Sequence, residues 1–176
     1  MNIEEKSAVL ILVLKREQEI LVVLTRRNAY LKHHAAQISF PGGKVEPSET
    51  YEFAAKREFE EEVGKIGSLA IIGELPAQIT STHYEVHPIV AYSSEMLNLQ
   101  PNLAEVEEVI FIPFEIVINI QNYLLNEDPQ YNIIRHRYCF SHKSYFIWGL
   151  TATILKTFAE NSSLIKTIKQ LIAESI

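Results

Sequence analysis

The sequence predicts an α/β domain in which a mixed β-sheet carries helices on its faces. Three observations point there. The length of 176 residues fits one domain of the usual size, about 100 to 200 residues. Hydrophobic residues make up 47% of the chain, enough for a packed core. Short β-branched runs and longer amphipathic stretches intermix without a βαβ rhythm, an internal repeat or a linker, so residues 1–176 read as a single domain with a mixed sheet.

Taken in order, Ala8–Leu14 and Glu19–Arg26 are aliphatic and β-branched. The polar residues Lys15-Arg16-Glu17-Gln18 separate them, which predicts a hairpin. Asn28–Gln37 has no clean period and is expected to be a loop, and Pro41-Gly42-Gly43 marks a turn. A helical pattern begins at Ser48, the expected N-cap after Pro47, and stops at Gly64. Strands are expected at Leu69–Leu75, Val86–Tyr92 and Val109–Pro113. Helices are expected at Glu115–Leu125, Phe146–Glu160 and Ser163–Ala173.

Charge and composition exclude several roles. The chain has 16 Lys+Arg against 22 Asp+Glu, a net charge of −6, which argues against a nucleic-acid partner gripped by its phosphates. No window supplies the roughly 20 apolar residues of a membrane span. The apolar run behind the acidic start is too short for a signal peptide. Cys139 is the only cysteine, so neither an internal disulfide nor a cysteine-rich metal site can form. These features fit a cytoplasmic protein, and a homodimer is compatible with them.

The chemistry concentrates in the helix after Ser48. Glu58, Glu61 and Glu62 stand at i, i+3 and i+4 and share one face. Like charges so spaced repel by roughly 0.2–0.5 kcal/mol per pair, and a divalent cation would compensate them. Ala55, Phe59 and Val63 form the apolar stripe that would fix this helix to the core.

Read from Gly43, the residues Gly43, Glu49, Arg57, Glu58, Glu61, Glu62 and Gly64 match the spacing G-x5-E-x7-R-E-U-x-E-E-x-G-U. A chance match at seven fixed positions is on the order of 10⁻⁸ per starting point. This segment resembles the box of the Nudix hydrolases, departing only at the last apolar position, which is Lys65. The resemblance implies a Nudix fold, an α/β/α sandwich, and a Mg²⁺ or Mn²⁺ cofactor. It implies Glu58 and Glu62 as metal ligands, with Glu61 a further ligand or a proton acceptor and the Gly43 carbonyl another candidate ligand. Glu49 and Arg57, eight residues apart, would be structural and orient those ligands.

Upstream, Leu24–Gly43 is similar to the segment that marks the coenzyme A pyrophosphatase branch of that family. Thr25, Arg27, Leu31, His34, Gln37, Phe40, Pro41, Gly42 and Gly43 match, whereas Asn28 replaces Ser and Ala36 replaces Gly. Ile147-Trp148-Gly149-Leu150-Thr151-Ala152 resembles a helix of the same branch, with Trp148 expected in the core. Arg26, Arg27 and Lys32 place three cations within seven residues, suited to a polyanion. The candidate substrate-binding set is therefore Arg26, Arg27, Lys32, His34, Gln37 and Phe40. Pro101–Val109 resembles a further stretch of the branch and makes Glu105 and Glu108 candidates for an extra metal ligand or base.

The implied activity is hydrolysis of the diphosphate of coenzyme A, or a derivative, to 4′-phosphopantetheine and adenosine 3′,5′-bisphosphate. The alternatives are a Nudix enzyme for ADP-ribose or NADH and a non-catalytic nucleotide-binding module.

Overall fold

The computed structural model describes residues 5–30, 36–80, 84–95, 98–127 and 136–175. In chain order the strands and helices are β1 (Glu5–Arg16), β2 (Glu19–Arg27), β3 (Ile38–Ser39), β4 (Gly42–Lys44), α1 (Tyr51–Glu62), β5 (Gly64–Lys65), β6 (Ala70–Glu74), β7 (Gln78–Ile79) and β8 (Tyr84–Ser93). There follow β9 (Asn98–Leu99), β10 (Val106–Pro113), α2 (Phe114–Val117), β11 (Tyr123–Glu127), β12 (His136–His142), β13 (Tyr145–Trp148), α3 (Gly149–Glu160) and α4 (Ser162–Glu174).

The main sheet runs β10-β2-β1-β8-β6, with β3 beside β2, β4 beside β1 and β7 beside β8. β1 and β8 pair in parallel over ten registered positions and every other pairing in this sheet is antiparallel, so the sheet is mixed. A second, three-stranded sheet has the order β11-β12-β13, and β5 pairs with β9.

Strand alternation divides the core into two layers. Ala8, Leu10, Leu12 and Leu14 of β1 face α1, where they pack on Ala54, Ala55, Phe59 and Val63. Ile11 and Val13 face the other way, toward Phe114, Phe158 and Ile168 of α2, α3 and α4. This is the α/β/α sandwich of the Nudix fold. Among the described residues no helix is long and apolar enough to cross a membrane.

Several expectations are corrected. Thr50, not Ser48, caps α1, its side chain accepting from the Phe53 N–H at 3.2 Å. Ser48 stands two residues earlier at φ +75°, a turn conformation that prevents the helix from starting there. The hairpin turn is only Glu17-Gln18, because Lys15 and Arg16 stay registered against β2. Glu115–Leu125 is not one helix. It is a single α-turn, then a 3₁₀ turn over Ile120–Asn122, then β11. The break lies at Asn119, whose side chain accepts from the Gln121 N–H at 3.1 Å and starts a new turn, while β-branched Ile116, Val117 and Ile118 favour helix weakly. The predicted helix from Phe146 begins only at Gly149, φ +65°, since Tyr145–Trp148 pair with β12 as a strand. β12 itself had no counterpart among the expected elements.

Candidate active site

The site assembles where the second half of α1 meets the ends of β2 and β4. Stacking of Tyr51 on the His87 ring, with centroids 3.5 Å apart, fastens the first turn of α1 to β8. At the other end, the Glu62 and Val63 carbonyls accept from the backbone N–H groups of Asn102 and Gln100, both at 3.0 Å. Helix ends leave such carbonyls without internal partners, so the 100–102 loop satisfies them. Gly64, at φ +129°, lets the chain turn away, and a Cβ there would sit 2.2 Å from the Asn98 carbonyl oxygen.

Arg57 organises the outer part of this face. Its Nε and Nη2 donate to Glu49 Oε1 and Oε2 at 2.8 and 3.1 Å, a bidentate fork. Its Nη1 donates to Glu58 Oε1 at 2.8 Å and reaches Glu61 at 3.5 Å, and Nη2 also donates to the Lys44 carbonyl at 3.0 Å. The fork, joined by a bond from the Glu46 N–H, holds the Glu49 carboxyl below the usual carboxylate range, and the bonds to Glu49 and Glu58 raise Arg57 further. Gly43, on β4, stands directly against the Glu58 carboxylate.

Glu62 is the buried member, 6% exposed. Burial pushes its carboxyl up to about 8, opposed by the charge of Arg27 and a backbone hydrogen bond at Gly42 and reinforced by the negative charges of Glu58 and Glu105. The 102–106 loop brings Glu105 here. Its backbone carbonyl accepts from the Asn28 N–H at 2.8 Å, and its carboxylate accepts from Asn102 Nδ2 at 3.3 Å. Arg27 Nε is buried and donates to no described residue.

On the other side of β2, Arg26 pairs with Glu108 at 3.1 Å, the residue opposite it on β10. The second Glu108 oxygen accepts from the Tyr145 hydroxyl at 2.7 Å. Arg26 also lines an open cleft of about 570 Å³ with Gln37, Ile38, Glu107, Phe146 and Trp148.

The family profile of the NUDIX domain matches residues 4–136 of this chain. The chain belongs to the Nudix family. It is 34% identical over 161 residues to a protein of Yersinia pestis (strain Pestoides F) named uncharacterized Nudix hydrolase NudL, covering 90% of this chain and 80% of that one. Among solved structures it is similar to a C. elegans Ap4A hydrolase binary complex, with a TM-score of 0.53 and 24% identity, over 68% of this chain and 88% of that chain. It is also similar to the NUDIX domain of Shewanella oneidensis NrtR complexed with ADP ribose, with a TM-score of 0.50 and 15% identity, over 67% and 78% of the two chains. These two structural likenesses concern the Nudix fold.

Nudix hydrolases act on phosphorus-containing anhydrides and generally use divalent ions such as Mg²⁺ or Mn²⁺. The residues here fit such an ion. Glu58, Glu61, Glu62 and Glu105 offer only hard oxygen donors, and Glu62 is a buried carboxylate further strained by its acidic neighbours. Among the described residues no three His, Cys, Asp or Glu side chains are grouped so as to hold a metal ion. Arg57 accounts for that by drawing Glu58 and Glu61 toward itself. Mg²⁺ in particular is usually held by one or two carboxylates, with water and substrate phosphates completing the shell.

The structure thus brings Glu58, Glu62, Glu105, Arg27 and Gly43 together, with Glu49 and Arg57 behind them. It places Glu108 apart from them, its carboxylate engaged by Arg26 and Tyr145. Phe40 is 4% exposed and packs in the core, a correction to its expected contact with substrate. Gln37 lines the cleft. Lys32 and His34 lie outside the described residues. Ala36 takes φ +57°, a left-handed conformation that an alanine adopts at a steric cost. Trp148, expected in the core, lines the cleft instead, a correction, and Phe146 beside it carried no expectation as a site residue. Phe146 and Trp148 are exposed at 52% and 43%, while Ile147 between them is fully buried. That alternation of Phe146-Ile147-Trp148 is a strand signal, hidden by reading the segment as the start of a helix.

Proposed function

We propose that this Nudix hydrolase cleaves the diphosphate of coenzyme A, or a close derivative, with water to give 4′-phosphopantetheine and adenosine 3′,5′-bisphosphate. The observation that carries the proposal is Arg27. Its side chain opposes the charge of Glu62 and keeps a buried Nε–H without a described partner. It also falls in the Leu24–Gly43 segment that resembles the coenzyme A branch. A buried donor left unpaired is costly, and a substrate phosphate oxygen beside the carboxylates would satisfy it.

Glu58 and Glu62 would hold a Mg²⁺ or Mn²⁺ ion, with Glu61, Glu105 and the Gly43 carbonyl as further donors. Such an ion supplies neutralisation of the diphosphate and lowers the pKa of water in its shell. Arg57 keeps Glu58 and Glu61 oriented through its own fork to Glu49. Glu61, the most solvent-exposed of the four box carboxylates, has the freedom to accept a proton from the attacking water. Arg27 would place the diphosphate against Glu62, and Arg26, on the opposite side of β2, would meet a second phosphate at the cleft. Residues 1–176 act as one domain in this reading, since α3 and α4 lie beyond the matched Nudix segment yet fill the core with Phe158 and Ile168. The lone cysteine and acidic balance favour a cytoplasmic setting.

Chromatographic product analysis with Mg²⁺ tests the proposal on coenzyme A, dephospho-coenzyme A, ADP-ribose and NADH. Release of adenosine 3′,5′-bisphosphate from coenzyme A at the highest kcat/KM of the panel is the expected result. A higher kcat/KM for ADP-ribose or NADH, or no product from any of the four, overturns it.

A further inference from the structure

We infer that Phe146 and Trp148 form a stacking clamp for the purine ring of the substrate in the cleft beside Arg26. This rests on the proposed adenine-nucleotide substrate and names residues that would select its base.

The cleft holds about 570 Å³, and both aromatic residues lie on its wall with Arg26 and Gln37. They are two positions apart on β13, on the face opposite fully buried Ile147. Same-face positions on a strand are about 6.6 Å apart, close to twice the rise of about 3.4 Å between stacked bases. A planar ring therefore has room between the two side chains. Neither ring stacks on another aromatic among the described residues. The two half-exposed rings share one wall of the cleft, an apolar face that a planar ligand would cover.

Shape argues for the occupant. Arg26, paired with Glu108 at 3.1 Å, and Glu107 line this cleft beside the two rings, so its charges balance and the aromatic faces are what it offers. The flat base of a nucleotide is the part of the proposed substrate that such walls suit. Aromatic faces accept any base because each has a π-face, so the clamp supplies capture rather than chemistry.

Trp148 is the single tryptophan of the chain, so intrinsic fluorescence reports on this residue alone. Adenosine 3′,5′-bisphosphate should quench it saturably without metal or turnover, while ribose 5-phosphate, which has no base, should not. Trp148→Ala and Phe146→Ala should each raise KM for coenzyme A about 10-fold or more with kcat nearly unchanged. Trp148→Phe should keep a KM near that of wild type. Absence of quenching, or unchanged KM in both alanine variants, overturns the clamp even when coenzyme A is hydrolysed. Quenching by the bisphosphate in a protein that leaves coenzyme A intact would keep the clamp and remove only the coenzyme A assignment.

Discussion

Gly43 and Glu58 occupy adjoining space: a Cβ built on Gly43 would stand 2.4 Å from Glu58 Cδ and 2.5 Å from its Oε2. The glycine is thus a wall of the pocket that holds the carboxylate against Arg57.

Replacing Gly43 by Ala should push the Glu58 carboxylate aside, because the end of a flexible side chain yields before a backbone does. A shift near 1 Å in a catalytic group can cost about 10²-fold in rate, and a loss of that order is expected with little change in Tm. Gly42→Ala is the contrasting variant. Its new Cβ would meet the Ala8 carbonyl oxygen at 2.4 Å and Val9 Cα at 2.6 Å, both backbone, so stability should fall instead. Equal thermal stability of the two proteins would contradict this account.

Glu62 ties stability to pH, and in the proposed metal site it would tie metal binding to pH as well. Its carboxyl is raised from 4.5 to about 8, so the folded, metal-free protein binds this proton more tightly than the unfolded chain does. That contribution to stability is fully present below the unfolded value and is lost as pH rises toward about 8. Glu62→Gln removes the charge and keeps the shape. The variant in chelator should therefore melt above wild type at about pH 9 and converge with it near pH 4.5. Added Mg²⁺ should raise the wild-type Tm and leave the variant unmoved, and activity should drop by at least about 10²-fold in Glu62→Gln and in Glu58→Gln. Thermal scans across pH with and without Mg²⁺ decide it. A wild-type profile that stays flat through this range without metal would remove the argument.

Arg27 should act on capture. A charge-assisted hydrogen bond is worth about 1.5–3 kcal/mol, so Arg27→Ala is expected to raise KM for coenzyme A roughly 10- to 100-fold and leave kcat within a few fold. Dephospho-coenzyme A separates the phosphates. Were Arg27 to hold the diphosphate, both substrates would suffer alike, whereas a partner of the 3′-phosphate would matter only for coenzyme A. Unchanged KM for both substrates would remove Arg27 from the site.

Ala36, on the wall of the cleft, offers a test of stability. At φ +57° an alanine carries a steric cost that glycine escapes, roughly 1 kcal/mol. Ala36→Gly should raise Tm by about 2–4 °C for a chain of this size, as read by calorimetry. A lower Tm would mean that the gain in unfolded-chain entropy outweighs the relief.

Much of this was legible in the sequence for a physical reason. The box residues act through fixed helical spacing, so Glu58, Glu61 and Glu62 could be placed on one face of α1 before any coordinates. The apolar stripe Ala55, Phe59 and Val63 likewise fixed which side is buried. What could not be read were interactions across long sequence separation. The pairing of Glu108 with Arg26 depends on the register of β10 against β2, including the bulge at Glu107. The retreat of Phe40 into the core follows from how β3 and β4 lie on the sheet. Phe146 and Trp148 were misplaced because helix and strand periods are hard to tell apart over four residues. Asn119 shows the same weakness, since one side chain satisfying a local N–H was enough to end a helix that an apolar period predicted.

The 100–106 loop is anchored by atoms every residue possesses. Gln100 and Asn102 donate through backbone N–H groups to the end of α1, and Glu105 is tethered through its own carbonyl to the Asn28 N–H. Attachment is therefore indifferent to most of the side chains the loop displays, apart from buried Val106 and Asn102, whose Oδ1 accepts from the Ala104 N–H at 3.2 Å and whose Nδ2 donates to Glu105. Leu103 and Ala104, both outward-facing, could be exchanged wholesale while the carboxylate beside Glu62 stays in place. A segment so fastened is a natural place to graft new selectivity without rebuilding the machinery beneath it.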